Sequence, residues 1–426
     1  MEPAVSATIS TETTAKGRRA VTAAVAGNVL EWYDFAVYGY LAGLLAKRFF
    51  PASDEATGLL AAFAAFGVGF VVRPLGGILI GRLADRKGRK AALVLTIVLM
   101  AVGTVGIGLI PDYHTIGVLA PALLVACRLL QGFSAGGEWG GATAFLVEWA
   151  PPHRRGLFGS FQQASVAAGL LLGSGIAALC STLLSPEQME AWGWRLPFLI
   201  GGLLLPVGLY MRRNVEETPA FRQSPSARAE AASGWTAATQ ALGFTVLWTV
   251  SYYIALSYLP TFTQKFAGLS RAQALWSNTL GLAVLVLAVP FMGHLSDRVG
   301  RKPLLLACCA AFVILPYPLF AAMVQAGGFA TVLLVQIAFA LAIALFSGPG
   351  PAAIAEMFPT RLRTTWMSTG YSLAVAIFGG FAPYIATWLI ATTGSPLSPT
   401  IYLIGAAVVS TAVILALPET AHDPLR

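Results

Sequence analysis

Twelve apolar runs divide this chain, and each is long enough to cross a lipid bilayer. A helix needs about 20 apolar residues to span the hydrocarbon core, so every run predicts one membrane-spanning helix. Hydrophobic residues make up 57% of the chain and charged residues 11%, a balance that a soluble domain could not bury. The predicted fold is therefore an all-α polytopic membrane protein, with spans at roughly 22–46, 58–81, 91–110, 116–148, 157–180, 194–213, 238–260, 273–294, 303–324, 329–355, 365–390 and 399–417.

The basic residues predict how these spans are oriented. If both termini are cytoplasmic, 20 of the 27 Lys and Arg residues lie on that side of the membrane and five on the other. Cytoplasmic loops carry the excess of Lys and Arg, so the distribution favours cytoplasmic N- and C-termini. The net charge of +8 then has a topological cause and does not indicate a nucleic-acid partner. The two remaining cations, Arg73 and Arg128, lie inside predicted spans.

A polar interruption and an internal repeat divide the chain into halves. The loop sequence at 81–90 returns at 293–302, 212 residues later, and each copy follows the second span of its set of six. Residues 1–20 are polar and lack a cleavable signal pattern, so we expect a disordered cytoplasmic segment there. The predicted organisation continues with an N-terminal half at 21–213, a cytoplasmic linker at 214–236, a C-terminal half at 237–418 and a cytoplasmic tail at 419–426.

The first span contains two carboxylates. Glu31 and Asp34 are three residues apart and share one side of a helix, and the same polar stripe continues through Asn28 and Tyr38. A charge at bilayer depth costs at least ~2.5–3.5 kcal/mol, so such residues face a protein interior or an aqueous cavity and need a partner. The two intramembrane arginines are the available partners. This arrangement predicts a functional site rather than a simple anchor.

Both repeated loops follow the pattern Gly-x-x-x-Asp-Arg-x-Gly-Arg-Lys and resemble the signature loop of the major facilitator superfamily. Within it, the chain is similar to the metabolite:proton symporter family, which includes permeases for citrate, 2-oxoglutarate and shikimate and carriers for proline and betaine. This resemblance is carried by the motifs at 27–35, 73–77, 131–138, 192–198 and 216–221. It implies two pseudo-symmetric six-helix halves with the substrate site between them near the membrane midplane.

The resemblance also implies a setting and a set of partners. It implies a multi-pass protein of the bacterial inner (plasma) membrane that works as a monomer and takes a small-molecule substrate and protons. It implies no cofactor, no metal and no catalytic residue. The stretch 216–221 resembles the osmolyte carriers, whereas 376–380 is more similar to the organic-acid carriers.

For proton coupling, we expect Asp34, Glu31 and Arg128 to form one site. Without substrate the carboxylate and the guanidinium would satisfy each other, and an anion that competes for Arg128 would leave Asp34 desolvated and ready to take a proton. Proton and substrate would then bind cooperatively. Asp34 is preferred over Glu31 because it resembles the first-helix aspartate that sugar-porter relatives pair with a fourth-helix arginine. The alternative is a static ion pair between two helices.

The substrate site is expected to contain both intramembrane arginines. Arg73 could bind a carboxylate with bidentate geometry, or it could bond carbonyl groups freed by Pro74. Glu138 lies among glycines, and its alternatives are a close helix contact and a transport role. The complete predicted set is Arg73, Arg128, Asn28, Tyr38, Gln162, Gln163, Tyr252, Tyr253 and Asn278.

The two repeated loops are expected to act as gating latches. Their arginines can pair with an acid at a neighbouring helix end, and their aspartates suit a helix N-terminus. Such contacts would hold the cytoplasmic side closed and break when it opens. Their basic clusters also serve topology, which is the plainer alternative. The predicted gating residues are Gly81, Asp85, Arg86, Arg89, Asp297, Arg301, Glu148 and Glu356.

Several functions are disfavoured by missing motifs. The chain has no Gly-x-x-x-x-Gly-Lys-Ser/Thr phosphate loop, no His-Glu-x-x-His zinc motif and no paired cysteine spacing. A membrane-embedded enzyme or a sensor is the hypothesis from another class, but nothing in the sequence supports it. We therefore predict a proton-coupled symporter that imports a small carboxylate-bearing metabolite, with a di- or tricarboxylate organic acid favoured. The alternatives are an osmolyte symporter of the proline and betaine type and proton-driven efflux.

Overall fold

The structure is a computed structural model that describes residues 27–87, 89–203, 206, 231–358, 360–423 and 425. Six helices come from the first half: α1 (27–40, continued by Ala42–Phe49), α2 (Glu55–Val71 and Arg73–Lys87), α3 (Arg89–Leu109), α4 (Leu119–Ser134 and Glu138–Glu148), α5 (Arg155–Leu183) and α6 (from Arg195–Leu203). The second half supplies α7 (Ala231–Tyr253 and Leu259–Phe266), α8 (Arg271–Val299), α9 (Arg301–Ile314 and Pro316–Ala326), α10 (Gly328–Ser347 and Gly350–Glu356), α11 (Thr360–Ala374 and Ala382–Thr393) and α12 (Pro399–Ala416).

Each of the twelve apolar runs contains one of these helices, so the all-α prediction is confirmed for the described part of the chain. Within the described residues, eight helical stretches are long and apolar enough to cross a membrane, and the pair that forms α9, bent by 45°, makes a ninth. Residues 1–26 and 207–230 lie outside the described residues. The predicted N-terminal segment and the linker therefore stay predictions, as do the exact boundaries of the halves.

The helix boundaries follow from local chemistry. Asp54 caps α2, because its carboxylate accepts a hydrogen bond from Thr57 N at 2.9 Å. Ser270 and Gln273 form a capping box at the start of α8. The bend in α9 falls at Pro316, which has no N–H to donate to the preceding turn, and α10 breaks at the Gly348-Pro349 pair.

The contacts between the halves include two pairs of long helices. α5 packs along α8, and α2 packs against α11. The α5–α8 contact includes a buried polar group, in which Ser174 Oγ lies 2.8 Å from Thr279 Oγ1 and accepts a hydrogen bond from Asn278 Nδ2 at 3.2 Å. The surface between the halves is therefore formed by whole helices and is not confined to loops.

Within the first half, α2 and α4 cross at very short range. A Cβ atom at Gly132 would overlap the carbonyl of Gly69, and one at Gly136 would overlap the carbonyl of Arg73. Only glycine permits backbones to approach this closely. The crossing sets Arg73 of α2 beside the helix that carries Arg128.

Two spans of the second half contain a π-helical turn. Residues Ile254–Tyr258 form one in α7, and Val375–Gly379 form one in α11. The two helices pack together, and the α11 turn also contacts α2. π-turns inside helices are rare and are frequent at functional sites.

Candidate functional site

The predicted acids and cations are all buried near the α1–α2–α4 contact. Glu31 is 8% exposed, Asp34 6%, Arg73 3% and Arg128 0%. Arg73 Nη2 lies 4.0 Å from Glu31 Oε1, which is the outer limit of an ion pair. The structure thus pairs Arg73 with the first of the two acids.

Aromatic rings surround both guanidinium groups. The Cζ atom of Arg73 lies 4.7 Å from the centroid of the Phe35 ring and 4.6 Å from that of Phe70. Arg128 Cζ lies 4.9 Å from the Phe35 centroid and 4.6 Å from that of Tyr38. A cation this close to a ring is attracted by the ring quadrupole, which is worth about 2 kcal/mol or more when desolvated. Phe35 therefore contacts both cations.

Arg128 is held by hydrogen bonds that the sequence did not predict. Its Nη1 donates to Gln131 Oε1 at 2.7 Å, and its Nη2 donates to the Phe66 carbonyl at 3.1 Å. Among the described residues no ion pair joins Asp34 to Arg128. The sequence led us to expect a direct contact between Asp34 and Arg128. Arg128 instead bonds the neutral side chain of Gln131, which lies one helical turn away on the same helix.

Asp34 instead lies beside Thr104 of α3, whose Oγ1 donates a hydrogen bond to the Met100 carbonyl at 3.0 Å. The Thr104 Oγ1 atom accepts a hydrogen bond from Gln131 Nε2 at 2.8 Å. The space beside them is kept open by Gly201 of α6, where a Cβ atom would lie 2.9 Å from both Asp34 Oδ1 and Thr104 Cγ2. Hydrogen bonds thus connect Arg128 to Gln131 and Gln131 to Thr104, and Asp34 lies beside the end of this chain.

Several buried N–H groups of the arginines have no hydrogen-bond acceptor within the described residues. They are Nε and Nη2 of Arg73 and Nε of Arg128. An unsatisfied donor buried in this way costs about 1–3 kcal/mol, and more when it is charged. Buried polar groups normally have a partner, so these donors are available to bind one.

The other predicted substrate residues are also buried, but they fall into separate groups. Asn28 Nδ2 donates to Ser165 Oγ at 2.7 Å, and Gln163 Nε2 donates to Gln162 Oε1 at 2.8 Å, which places this group on α1 and α5. Tyr38 OH donates to the Ala62 carbonyl at 2.9 Å, so only its ring faces Arg128. Asn278 lies with Ser174 in the α5–α8 contact, away from the arginines.

The second half contributes an aromatic wall. The Tyr253 ring of α7 lies 5.3 Å from Phe70 and 6.5 Å from Trp32, measured between centroids. Neither Tyr252 OH nor Tyr253 OH has a hydrogen-bond partner among the residues that the structure describes. Both tyrosines therefore reach the interface between the halves with unused polar groups.

A stacked pair of rings lies further along this interface. Trp139 of α4 and Tyr371 of α11 are parallel within 1°, with centroids 3.5 Å apart. Trp248 of α7 packs against both, at 6.1 Å and 6.2 Å, and donates through Nε1 to Ser347 Oγ at 2.9 Å. Glu138, the neighbour of Trp139, has a side chain outside the described part.

One predicted gating cluster is present at the face where α5 and α9 begin, which we call the basic face. Arg301 Nη1 lies 2.8 Å from Asp297 Oδ1, and its Nη2 lies 3.3 Å from Glu356 Oε1. Arg155 of the first half approaches the same Glu356 oxygen at 4.0 Å. Asp297 accepts hydrogen bonds from the first-half backbone at Gly156 N (2.7 Å) and Leu157 N (2.9 Å). The cluster therefore joins the two halves.

The C-terminal segment covers this cluster. Glu419 accepts hydrogen bonds from Arg301 N and Lys302 N, each at 2.9 Å. Thr420 Oγ1 donates to Glu356 Oε2 at 2.7 Å, and Arg155 Nη1 donates to the Asp423 carbonyl at 2.8 Å. The segment thus contacts both halves.

The remaining predicted gating residues are not part of this cluster in the described structure. Gly81, Asp85 and Arg86 are helical within α2, and Arg89 begins α3, but the side chains of Asp85, Arg86 and Arg89 lie outside the described residues. Glu148 is exposed at the end of α4. The latch proposed for the first repeat stays a prediction.

The face opposite the basic face is also closed by contacts between halves. Lys265 Nζ of α7 lies 3.8 Å from Glu55 Oε2 of α2, and Trp276 Nε1 of α8 donates to Thr182 Oγ1 of α5 at 3.0 Å. The buried arginines therefore lie between two sets of contacts that join the halves.

Sequence reasoning missed the groups that hold the arginines. Phe35, Phe66 and Phe70 belong to apolar runs that also fit simple packing, and Thr104 is one of two hydroxyl residues in a hydrophobic span. Of these residues, only Gln131 could have been found from the sequence, because it follows Arg128 by three residues and so lies on the same helix face.

Comparison with known families gives matches along both halves. The family described as "Sugar (and other) transporter" matches residues 19–241, and the "Major Facilitator Superfamily" matches residues 267–426. Among solved structures, the partially occluded inward-open form of the xylose transporter XylE from E. coli aligns with a TM-score of 0.78 at 19% identity, over 96% of this chain and 100% of that one. This likeness concerns the fold.

Curated relatives include carriers of two kinds of solute. The proline/betaine transporter of Salmonella typhimurium is 36% identical, over 96% of this chain and 85% of its own length. The citrate-proton symporter of Klebsiella pneumoniae is also 36% identical, over 93% of this chain and 91% of its own. The ectoine/proline transporter of Corynebacterium glutamicum is 34% identical, over 96% of this chain and 86% of its own.

Proposed function

Because the chain belongs to the major facilitator superfamily, and is thus a membrane transporter and not an enzyme, we propose that it imports a small carboxylate-bearing metabolite together with protons. Transport would proceed by alternating access, with the substrate bound between the halves. The proton coupling is in keeping with the citrate-proton symporters among its relatives.

One observation carries the proposal. Arg73 and Arg128 are buried side by side, share contact with Phe35, and keep N–H donors that no described residue satisfies. A guanidinium group binds a carboxylate through charge-assisted, often bidentate, hydrogen bonds. A substrate carboxylate would satisfy these donors, whereas the aromatic rings that now contact the two cations cannot accept such bonds.

Asp34 is the proposed proton carrier. An anion bound at Arg128 would draw the guanidinium away from Gln131, and Asp34 would then be a buried carboxylate with a weakened favourable field. Proton uptake removes that cost, so substrate and proton favour each other's binding. Glu31 lies closer to Arg73 and is the second candidate for this role.

The charge balance favours an organic acid. Two buried arginines stand against two buried acids, Glu31 and Asp34. Protonation of one acid leaves one positive charge for the substrate, and protonation of both leaves two. A mono- or dianionic substrate completes the balance without leaving an unpaired buried charge, which would be costly.

A zwitterionic osmolyte is a second candidate because of the aromatic wall. Trp32 and Tyr253 line the interface beside Arg73, and Trp139, Trp248 and Tyr371 lie further along it. Aromatic faces bind quaternary ammonium groups through cation–π attraction. A betaine could place its carboxylate at an arginine and its ammonium group among these rings, as its similarity to the proline/betaine transporter also suggests.

The proposed setting is the bacterial inner membrane, with both termini in the cytoplasm. The excess of Lys and Arg at one side of the predicted spans supports this orientation. In that orientation the basic face is cytoplasmic, and the Asp297–Arg301–Glu356 cluster is an inner gate. We propose that a monomer suffices, since each chain supplies both halves.

Uptake into proteoliposomes tests the proposal. Purified protein would be given an inward proton gradient and radiolabelled citrate or glycine betaine, with a pH dye in the lumen. We expect citrate to accumulate above the outside concentration, with lumenal acidification that depends on citrate and a loss of accumulation when an ionophore collapses the gradient. Accumulation of glycine betaine alone would support the second candidate, and a lack of any gradient-driven uptake of either would contradict symport of both classes.

A further inference from the structure

We propose that Trp139 and Tyr371 form an aromatic gate between the buried arginines and the basic face, and that Trp248 makes this gate open together with the ionic cluster around Glu356. The gate rests on the proposed function only in that the arginines are the site to be closed off. It works in the same way whichever substrate binds there.

The stacked rings are a contact between the two halves. Trp139 belongs to α4 and Tyr371 to α11, and their rings are parallel within 1° with centroids 3.5 Å apart. Next to Trp139, a Cβ atom at Gly140 would overlap the hydroxyl of Ser368, which also lies on α11. Both stacked rings are 7% exposed. Hydrophobic constrictions exclude hydrated ions, so a closed stack can block a path between the halves.

On α4, the stack lies on the basic-face side of Arg73. A Cβ atom at Gly136 would overlap the Arg73 carbonyl, which fixes the level of Arg73 on this helix. Trp139 is almost one helical turn closer to the end of α4, which is the end beside the start of α5 at the basic face.

The same order holds on α11. A Cβ atom at Gly380 would lie 2.6 Å from the Phe70 ring, and that ring contacts Arg73. Tyr371 is more than two helical turns closer to the start of α11, which follows the ionic cluster, and this is ~13 Å at 1.5 Å per residue. An opening at the basic face therefore reaches the stack before it reaches Arg73.

Trp248 of α7 connects the stack to the break in α10. Its ring centroid lies 6.1 Å from that of Trp139 and 6.2 Å from that of Tyr371. Its Nε1 donates to Ser347 Oγ at 2.9 Å, at the last residue before the break, and a Cβ atom at Gly350 would lie 3.0 Å from Trp248 Cη2. The indole thus contacts both sides of the break.

The helix after the break extends this contact to the ionic cluster. Gly350–Glu356 begins at the residue that meets Trp248 and ends at Glu356, whose Oε1 lies 3.3 Å from Arg301 Nη2 and 4.0 Å from Arg155 Nη1. All of its residues are buried, and close-packed interiors transmit a shift from one end to the other. Parting of the stack and breaking of the ion pairs then belong to one movement.

Cysteine labelling from the basic face tests the gate. Thr249→Cys is the reporter, because the Thr249 side chain lies against Gly379 of α11, which is beyond Tyr371 as seen from that face. The four native cysteines are replaced, and an impermeant thiol reagent is added to membrane vesicles whose basic face points outward. Rapid labelling of His153→Cys, exposed at that face, confirms their orientation.

Trp139→Ala and Tyr371→Ala should each speed labelling of the Thr249→Cys reporter by about 2–13-fold, the range that one aromatic pair contributes to an equilibrium. Trp139→Phe keeps a ring that can stack and should label at close to the parent rate. The double alanine variant should fall short of the product of the two single effects, because both remove the same contact. Phe312→Ala is the matched control, since Phe312 stacks on Phe339 within the second half alone.

Trp139→Leu and Tyr371→Leu keep apolar volume without the stack, and they replace any alanine variant that is not monodisperse. Labelling of Thr249→Cys that stays at the parent rate in the folded variants of both rings would overturn the gate and leave symport intact. A lack of gradient-driven uptake, with labelling as expected, would overturn the proposed function and leave the gate standing.

A second reporter, Ala353→Cys, tests the joint opening. Ala353 lines a cavity beside Arg301, so the reagent reaches it without passing the stack. Trp139→Ala should nevertheless speed its labelling, and Ser347→Ala should reduce that response because it removes the bond to Trp248. Labelling of Ala353→Cys that Trp139→Ala leaves unchanged would overturn the joint opening.

Discussion

Asp297 of the second half caps a helix of the first half, because its Oδ1 accepts a hydrogen bond from Gly156 N at 2.7 Å. Its Oδ2 accepts from the next residue, and Arg301 neutralises the same carboxylate at 2.8 Å. A carboxylate at a helix N-terminus is stabilised by the unpaired N–H groups and the helix dipole. These bonds must break whenever the halves separate at the basic face.

We expect Asp297→Asn to favour opening at the basic face. The amide has only one acceptor oxygen and no charge, so the lost cap and ion pair weaken closure by about 1–2 kcal/mol, or roughly 5–30-fold in the ratio of open to closed. A cysteine at Ala353, buried near this face, would then react faster with a thiol reagent in a background with the four native cysteines replaced. Asp112→Asn is the control, since Asp112 pairs with Arg48 within the first half. Equal labelling rates in both variants would remove Asp297 from the gate.

Acid should loosen the C-terminal segment through Glu419. Burial alone would raise the pKa of this carboxyl, but backbone N–H donors of residues 301, 302, 421 and 420 together hold the pKa below its ordinary value of 4.5. A group whose pKa is lowered by folding contributes stability above its unfolded pKa and loses it as the pH falls through the folded value. Thermal unfolding should therefore show a loss of stability below about pH 4.5 that Glu419→Gln largely removes. An identical pH profile for wild type and variant would contradict this.

Asp34→Asn should uncouple transport from the proton gradient. An amide cannot take up the proton, so pH-driven accumulation should be lost, while exchange of labelled for unlabelled substrate across the membrane is retained. Asp54→Asn is the matched control, because Asp54 is an exposed N-cap and asparagine caps equally well. Uphill uptake at the wild-type rate by Asp34→Asn would refute the assignment.

Arg128→Lys and Arg128→Ala should weaken substrate binding to different degrees. Lysine keeps the charge but cannot donate to Gln131 and the Phe66 carbonyl while it binds a carboxylate in bidentate fashion, so affinity should fall about 10–100-fold. Alanine leaves the substrate anion without its guanidinium partner, so the binding free energy should weaken by about 2–5 kcal/mol. The control is Arg195→Lys, since Arg195 also donates to a carbonyl and stacks on a ring, but at Ile110 and Trp194. Unchanged dissociation constants for both Arg128 variants would exclude it from the site.

Gly132→Ala should disrupt the crossing of α2 and α4. The added Cβ would overlap the Gly69 carbonyl, which is backbone and cannot move aside without shifting a helix. Overpacking typically costs about 1–3 kcal/mol, so the yield of monodisperse protein and its melting temperature should fall. Gly141→Ala on the same helix is the control, because nothing lies within 4 Å of the added atom. Equal melting temperatures for both variants would show that the crossing tolerates a side chain.

The fold could be predicted because a bilayer leaves few choices. Apolar runs of fixed length must be helices, and their number and the loop repeat determine two sets of six. The breaks and π-turns inside the spans were harder to predict from the sequence. Gly348 and Pro349 mark the break in α10 in the sequence, but the π-turn at 254–258, which contacts α11, contains neither glycine nor proline.

The sequence identified the residues of the site but not the contacts between them. Glu31, Asp34, Arg73 and Arg128 stand out because a charge in an apolar span is rare. Which acid meets which arginine depends on helix rotation and crossing, and the structure places Glu31, not Asp34, within 4.0 Å of an arginine. Asn278 was grouped with the arginines because it is polar and intramembrane, yet its hydrogen bond is to Ser174.

The π-turns in α7 and α11 give these two helices a way to deform without breaking. Each turn holds one residue more than the regular helix needs, and a helix can pass such a surplus along its length, rotating side chains about its axis while it stays continuous. Among the described spans of the first half, α4 is instead interrupted by a short 3₁₀ segment, Ala135–Gly137. The turns in α7 and α11 therefore give these two helices a rotation that the break in α4 does not provide.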